Sequence, residues 1–330
     1  LRNRHVGLAK RSIMVAAAFG ILSAASVIVL GDESGYIDGE NQKFKLAAIE
    51  AMWDTEPAPA SFTVIGIPDR EDRETHYAVH VPYVLGLIAT RSLDGEVLGI
   101  NDLVEQARAR IVTGIGAYDA LQRIKADPTD TAAQEAFNAT KMELGHGLLL
   151  MRYVEDPREA TEEQIDMAAD SLVPNVAMTF FSFRAMVGIG FLYLIVFATA
   201  FWFMNIKRNI PRWFLRVAVL LIPLPWLAAE LGWITAEVGR QPWIIDGVLP
   251  TFMAASDLTV SQVVITMIGF TLVYGALLVV EMSLMLHAIR KGPTKSGYAE
   301  LPEMPGLGGG TSDTPKGSAP VAPFTTEFDK

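Results

Sequence analysis

Four long apolar segments alternate with polar stretches along the chain. The hydrocarbon core of a bilayer is about 30 Å thick and needs roughly 20 apolar residues of helix, and each segment reaches about that length. The first two are free of charge, the third is interrupted only by Glu230, and the fourth is uncharged until Glu281. We therefore predict an all-α integral membrane protein with four transmembrane helices. The segments are Ser12–Leu30, Ala185–Met204, Val217–Ala236 and Val260–Val280.

The longest polar interval, Gly31–Phe180, has patterns of its own. Apolar residues recur at helical spacing in Asn101–Lys125 and Thr131–Tyr153, and Thr161–Ala169 has a shorter pattern of the same kind. Ser61–Ile67 is the best candidate for a β-strand. We therefore predict a large, mostly helical loop between the first two membrane helices.

Two local signals refine the last two apolar segments. Pro223 and Pro225 predict a kink in the third helix, because proline cannot donate the backbone hydrogen bond that continues a helix. Thr259 and Gln262 have the spacing of a capping box, in which the two side chains satisfy first-turn N–H groups. The fourth helix is thus predicted to begin directly after Thr259.

Basic residues form three clusters, which lie before the first apolar segment, between the second and third, and after the fourth. If the chain crosses four times, all three lie on one side, and the positive-inside rule identifies that side as the cytoplasm. The loop is then outside, and its 27 acidic and 12 basic residues agree with that placement. The clusters are Arg2, Arg4, Lys10 and Arg11; Lys207, Arg208, Arg212 and Arg216; and Arg290, Lys291 and Lys295.

These assignments give the organisation of the whole chain, with both ends cytoplasmic. The tail is rich in Gly, Pro, Ser and Thr and has few large apolar residues, so we expect it to be disordered. The chain starts at Leu1 within a polar stretch, and we expect further sequence upstream. The predicted order is a cytoplasmic segment 1–11, helix 12–30, outer loop 31–180, helix 181–206, basic turn 207–216, helix 217–238, outer loop 239–258, helix 259–289 and tail 290–330.

Composition narrows the class further. A hydrophobic content of 51% and a mean hydropathy of +0.29 are high for a soluble protein. The chain has no cysteine, which excludes disulfides and thiolate metal sites, so any metal is held by His, Met or carboxylate. The strongly acidic loop and the net charge of −10 disfavour binding to nucleic acid.

Ionisable residues in a membrane helix are costly and point to function, so the third segment is of special interest. Glu230, Trp233 and Glu237 are spaced by three and four residues, which places them within about 60° on one helix face, predicted to be inward. They fit a proton path, a cation site or ligands to a prosthetic group. The alternative for Glu237 is an ordinary carboxylate at a helix end.

The second segment begins with Arg184 and Met186 at its outer boundary. Taken alone, Met186 is an ordinary packing residue, and Arg184 is an interface residue whose head reaches water. Several motifs are more specific than either residue. In chain order they are Gly31–Tyr36 (GDESGY), Lys45–Glu50 (KLAAIE), Arg184-x-Met186, Pro223–Trp226 (PLPW) and Gly239–Trp243 (GRQPW).

Together these motifs resemble subunit I of the cytochrome bd quinol oxidases, over about Arg4–Gly292. The resemblance implies that Met186 is the axial ligand of a low-spin haem b and Glu237 the ligand of a high-spin haem b. A thioether suits a low-spin electron-transfer haem by raising its potential. Arg184 and Arg240 would offset propionate or ligand charge. The resemblance also implies a third haem, d or b, with Trp233 placed between haems.

The resemblance assigns Lys45 and Glu50 to the quinol site in the loop. Their spacing of five is wrong for an ion pair on a helix surface, so we expect each to be free to face a ligand. A carboxylate with a near-neutral pKa accepts the protons that quinol sheds, and a lysine holds a quinone oxygen. The alternative is a solvated charged helix. Asp32 and Glu33 are further candidates for the same site.

The histidines are weaker candidates. His76 and His80 would bind a metal on a helix, but the residues around them favour an extended chain, and no third ligand is evident. His146 and His287 have no partners at ligand spacing, and His5 lies at the start of the chain. The His ligands and proton-channel acids of the resembled family would lie on helices upstream of Leu1.

The resemblance therefore implies a haem-binding subunit of an oxidase in the bacterial inner membrane. Quinol would be oxidised on the outer face and oxygen reduced to water. The resemblance also implies a second membrane subunit as a partner, and a small single-span subunit is a further candidate. The segment Asn101–Asp170 favours the long-loop branch of the family. A different class remains open: a non-redox transporter component or receptor with a proton or cation relay through Glu230, Glu237 and Glu281.

Overall fold

The computed structural model describes residues 6–207 and 209–295. The predicted disordered tail beyond residue 295 and the residues Arg2, Arg4, His5 and Arg208 lie outside the described residues. The helices and strands are α1 Val6–Asn41, α2 Lys43–Glu50, β1 Phe62–Asp69, β2 Glu74–Val81, α3 Val84–Thr90, α4 Ile100–Ala126, α5 Thr131–Thr140, α6 Leu144–Leu148, α7 Glu162–Asp170, α8 Val176–Asn205, α9 Arg212–Leu221, α10 Leu224–Gly239, β3 Trp243–Ile245, β4 Leu249–Pro250 and α11 Val260–Lys295.

Four stretches of helix among the described residues are long and apolar enough to cross a membrane: Val6–Asn41, Val176–Asn205, Arg212–Gly239 and Val260–Gly292. The predicted all-α membrane class with four transmembrane helices is therefore confirmed. The helices are longer than the apolar segments. Helix α1 runs on to Asn41, over about 54 Å at 1.5 Å per residue, so it extends past the predicted membrane boundary at residue 30. Charged residues such as Asp32 and Glu33 end the apolar segment, but the helix continues through them.

The third membrane helix is kinked, as Pro223 and Pro225 predict. Helix α9 ends at Leu221, and α10 starts at Leu224 with a proline in its first turn. The capping box of α11 is also present: Thr259 N–H donates to Gln262 Oε1 (2.9 Å), and Gln262 N–H donates to Thr259 Oγ1 (3.4 Å). Gly292 (φ 74°, ψ 167°) is not helical and interrupts α11 three residues after residue 289, the predicted end of that membrane helix.

The interval between α1 and α8 is mostly helical, with one two-stranded antiparallel sheet. The predicted strand corresponds to β1, which pairs with β2 in a hairpin. The helix predicted over Thr131–Tyr153 is present but not continuous: α5 and α6 are joined by a 3-10 turn at Lys141–Glu143, and a second 3-10 turn at Leu149–Arg152 follows α6. Asp130 caps α5 by accepting from Ala133 N–H (2.9 Å). Helix α7 has the capping box of Thr161 and Gln164.

Two apolar clusters join the loop to the membrane helices. One packs α2 and the start of α4 against the loop-side end of α8, with Trp53 and Phe180 buried in it. The other packs α4 and α7 around Trp243, which follows α10. The loop is therefore seated on the ends of α8 and α10.

Helices α4 and α6 approach each other closely at Gly114 and Gly147. A Cβ at residue 114 would lie 2.3 Å from Gly147 N, which leaves no room for a side chain. Gly116, two residues further along α4, has nothing within 4 Å of its Cβ position. The two glycines thus form a matched pair, one in contact and one open.

We expect Gly114→Ala to lower the stability of the loop by about 1–3 kcal/mol, because the added methyl overpacks a backbone contact. Gly116→Ala should be neutral or stabilising by about 0.5–1 kcal/mol, because alanine favours the helix. The thermal unfolding temperature of the purified protein in detergent measures both. Equal effects from the two substitutions would show that the α4–α6 contact is looser than described.

Candidate functional site

Helix α2 positions Lys45 and Glu50 at the loop-side ends of α1, α8 and α10. Residues 46–50 are all buried, and the two alanines among them allow the neighbouring helices to come close. The helix ends at Ala51 in a left-handed conformation (φ 50°), which turns the chain away toward β1. Glu50 is therefore held at a buried helix end.

The carboxylate of Glu50 is enclosed by hydrogen-bond donors. Its side chain is 2% exposed, and Oε2 accepts from Thr63 N–H (3.0 Å) and Arg184 Nη2 (3.1 Å). Burial raises the pKa of Glu50 to about 7, although Arg184 and the Thr63 N–H oppose the shift. The group thus has the near-neutral pKa expected of a proton acceptor, but the prediction that it is free to face a ligand is wrong.

Arg184 ties three parts of the chain together. Besides Glu50, its guanidinium donates to Thr63 O on β1 (Nε, 2.9 Å) and to Ile49 O on α2. It also lies over the ring of Phe180, 3.6 Å from the centroid. The expected role of Arg184 in offsetting a propionate is therefore not seen, because its donors are already used within the chain.

Lys45 is paired in a similar way. Its Nζ donates to Asp38 Oδ1 (2.8 Å) and Gln42 Oε1 (3.2 Å), and its stem packs on Gly239, where a Cβ would lie 2.7 Å from Lys45 Cγ. The expectation of a free lysine is wrong, because the unpredicted extension of α1 brings Asp38 into reach.

Asp32 and Glu33, near the end of the first apolar segment, pair with an arginine and not with Lys45. Arg91 makes ion pairs with Asp32 (2.7 Å) and Glu33 (2.8 Å). These contacts hold α1 to the end of α3. The structure brings neither acid to Lys45 or Glu50 by a hydrogen bond or ion pair among the described residues.

Met186 and α10 meet at Gly232. A Cβ at residue 232 would lie 2.8 Å from Met186 Sδ, so only glycine leaves the thioether its present position. The neighbouring Trp233 is 63% exposed, and Glu230 is exposed as well. Helix α10 packs on α8 with the face that carries Gly232. The face with Glu230 and Trp233, predicted to be inward, is therefore exposed in the described chain.

Glu237 lies in the last turn of α10 and forms an ion pair with Arg240. The carboxylate accepts from Arg240 Nε (2.8 Å) and Nη2 (2.6 Å), and Arg240 Nη1 donates to Trp243 O (3.2 Å). The two side chains are about one third exposed. Glu237 is thus a partly open carboxylate whose charge is already balanced, and Arg240 is not free to meet a propionate.

The structure also shows a cavity of about 340 Å³ beside Lys45, which the sequence did not predict. Its wall includes Arg240, Trp243 and His146. The rings of His146 and Trp243 are 5.2 Å apart. The GRQPW motif, Gly239–Trp243, pointed to part of this lining in the sequence. His146 on α6 could not be predicted as part of it, because α6 is brought to the cavity only by tertiary contacts.

The hairpin places His76 near Asp69 and Asp72, with ligand atoms within 4.8 Å of one another. His80 instead contacts Ser61 Oγ and Thr63 Oγ1, both at 3.3 Å, so the two histidines do not act together. Exposed groups of this kind are common without a bound ion.

The carboxylates of the alternative relay are not brought together. Glu281 lies on α11, whose residues 260–291 are all exposed. No hydrogen bond or ion pair joins it to Glu230 or Glu237 within the described part of the chain. The structure thus offers no relay built from the three residues.

The four membrane helices, and the loop packed on the ends of α8 and α10, define a multi-pass membrane protein with a candidate site at the junction. The chain belongs to the family described as cytochrome bd terminal oxidase subunit I, whose sequence model matches residues 1–293. This is a family of haem-containing terminal oxidases of the inner membrane. Membership of this family disfavours the alternative that the chain is a non-redox transporter component or receptor.

Three relatives are similar over most of the chain. Cytochrome bd-II ubiquinol oxidase subunit 1 of Escherichia coli (strain K12) is 38% identical over 89% of this chain and 57% of its own length. Cytochrome bd ubiquinol oxidase subunit 1 of Bacillus subtilis (strain 168) is 26% identical over 92% and 53%. The putative cytochrome bd menaquinol oxidase subunit I of the same organism is 24% identical over 86% and 49%. The chain spans about half the length of these relatives.

The raised pKa of Glu50 predicts a specific dependence of stability on pH. The folded carboxyl holds its proton up to about pH 7, whereas its usual pKa is 4.5. The stability that Glu50 contributes is therefore full below pH 4.5 and is lost as the pH rises to about 7. The unfolding temperature of the parent protein, relative to that of Glu50→Gln, should fall across this window and be level above it. A difference that does not change with pH would contradict the buried carboxyl.

Proposed function

We propose that this chain is the quinol-oxidising, haem-binding part of a bd-type terminal oxidase. The reaction is the two-electron oxidation of a quinol on the outer face, coupled to the reduction of oxygen to water. The observation that carries the proposal is Glu50, a buried carboxyl with a pKa of about 7 that is bound to Arg184, two residues before Met186. A proton acceptor is thus held next to a candidate haem ligand.

The substrate is a quinol, and the type of quinone is left open. The names of the relatives specify ubiquinol in two cases and menaquinol in the third. Lys45 holds a quinone oxygen, and Glu50 accepts a proton when the hydroxyl is oxidised. Lys45 Nζ uses its third N–H for the ligand, because Asp38 and Gln42 take the other two.

Side chains of α8 and α10 fit haem groups. The chemistry of the donors is suitable, because Met186 offers a thioether and Glu237 a carboxylate. Gly232 makes room for the sulfur, and Trp233, the next residue of α10, presents an exposed aromatic ring. Met186 would hold a low-spin haem b and Glu237 a high-spin haem b, with a third haem, d or b, in the complete protein. Bound haem supplies the one-electron redox centres that the side chains lack.

The proposed assembly includes a second membrane subunit, with a small single-span subunit as a further candidate. All three basic clusters face the cytoplasm, so both ends of the chain are cytoplasmic and the loop is outside. The protons of the quinol are released outside. The remaining haem ligands come from elsewhere in the complete oxidase.

Met186→Leu should remove the low-spin haem b signal, because leucine keeps the apolar volume and loses the sulfur. The measurement is the reduced-minus-oxidised absorption spectrum of the complete oxidase. Met178→Leu is the control, since Met178 is an exposed residue of the same helix. A spectrum unchanged by Met186→Leu would remove Met186 from the haem site.

Glu50→Gln should lower the rate of quinol oxidation by about 100-fold or more, because general acid–base groups contribute about that factor. Haem content and reduction by dithionite should be unaffected. Glu135→Gln, at an exposed position on α5, serves as the control in the same oxygen-uptake assay. Normal turnover of the Glu50→Gln oxidase with quinol would exclude Glu50 from the reaction.

A further inference from the structure

Tyr193 on α8 makes a hydrogen bond to the kink of the third membrane helix. Its hydroxyl donates to the carbonyl oxygen of Leu221, the last residue of α9. In an unbroken helix this carbonyl would accept from the N–H of residue 225, but residue 225 is a proline and has none. An unpaired backbone group at membrane depth is costly, so a kinked membrane helix needs a donor from a neighbouring helix. The Tyr193 hydroxyl is that donor.

The ring of Tyr193 is supported by a contact that reaches α1. It lies beside the ring of Phe197, one turn further along α8, with the two centroids 5.5 Å apart. Phe197 in turn occupies the space at Gly20 of α1, where a Cβ would lie 2.8 Å from atoms of its ring. These contacts run from α1 through α8 to the kink. The tyrosine is therefore held in place on both sides of α8.

Tyr193 and Met186 share one face of α8. Seven residues make nearly two helical turns, so the two side chains lie about 10.5 Å apart along the axis with an angular offset of only about 20°. Tyr193 binds the end of α9, whereas Met186 Sδ lies against Gly232 of α10, where a Cβ would be 2.8 Å away. This face of α8 therefore contacts the kinked helix on both sides of its bend.

We infer that Tyr193 is a positioning residue for the thioether of Met186. The inference rests on the proposed function, in which Met186 holds a low-spin haem b. Without the hydroxyl the Leu221 carbonyl has no donor, and the bend between α9 and α10 relaxes. A relaxed bend shifts Gly232 along α8, and the sulfur is displaced because only glycine leaves it its present position. Tyr193 acts through this alignment and not as a ligand.

The test uses carbon monoxide as a probe of the reduced complete oxidase, followed by its absorption spectrum. Carbon monoxide binds a haem only where a coordination position is open, so its apparent affinity for the low-spin haem b follows the fraction that the thioether has left. Tyr193→Phe keeps the ring beside Phe197 and removes only the hydroxyl. The half-saturating carbon monoxide concentration at this haem should fall about threefold to tenfold, the effect of one lost hydrogen bond.

The matched control is Tyr274→Phe, which removes the hydroxyl of an exposed tyrosine on α11. It should leave carbon monoxide binding at the low-spin haem b as in the parent oxidase. Haem content should be the same in the parent and both variants. An equal effect of Tyr193→Phe and Tyr274→Phe would overturn the inference.

A second substitution separates alignment through Leu221 from a general loss of packing. Pro225→Ala restores the N–H that the Leu221 carbonyl lacks, so the Tyr193 hydroxyl is no longer needed in that background. Tyr193→Phe should then change the half-saturating concentration by less than about twofold relative to Pro225→Ala alone, as expected for coupled positions. An effect of the same size in both backgrounds would show that the hydroxyl acts elsewhere and would overturn the inference.

The outcomes also separate this inference from the proposed function. If Met186→Leu removes the low-spin haem b signal and Tyr193→Phe leaves carbon monoxide binding unchanged, the inference is overturned and the proposed function stands. If Met186→Leu leaves that signal intact, the proposed haem role of Met186 fails, and the inference fails with it.

Discussion

The hydrogen bonds of the Arg184 guanidinium are the interaction on which the junction of loop and membrane depends. They join α8, α2 and the start of β1, which are more than 100 residues apart at the extremes, through Glu50, Ile49 and Thr63. Leaving such a buried acceptor without its donor costs about 1–3 kcal/mol. The position of α2, and with it the candidate quinol site, is set by this contact.

The other charged residues of the site are also paired within the chain. Lys45 is held by Asp38, and Glu237 by Arg240, so the charges at the ends of α2 and α10 are balanced within the chain. A neutral substrate such as quinol enters such a site without an uncompensated charge. In the proposed reaction Lys45 would hold a quinone oxygen with its third N–H, and Glu237 would be the carboxylate that holds a haem.

The sequence predicted features that depend on local chemistry or on bilayer thickness. The four membrane helices follow from the length of the apolar segments, the kink from Pro223 and the start of α11 from Thr259 and Gln262. The partners of Lys45, Glu50 and Arg184 were not predicted, because they depend on the continuation of α1 and on contacts across more than 100 residues. His146 has no partner at ligand spacing in the sequence, and its contact with Trp243 exists only in the folded chain.

The central claim is that electrons from quinol reach haem through the part of the oxidase that contains this chain. The most direct measurement is the visible absorption spectrum of the complete oxidase after anaerobic addition of ubiquinol or menaquinol. The account predicts that haem b bands of the reduced form appear with one of the two quinols. A preparation with all subunits present that shows no haem b bands, or whose haems are reduced by dithionite and by neither quinol, would contradict it.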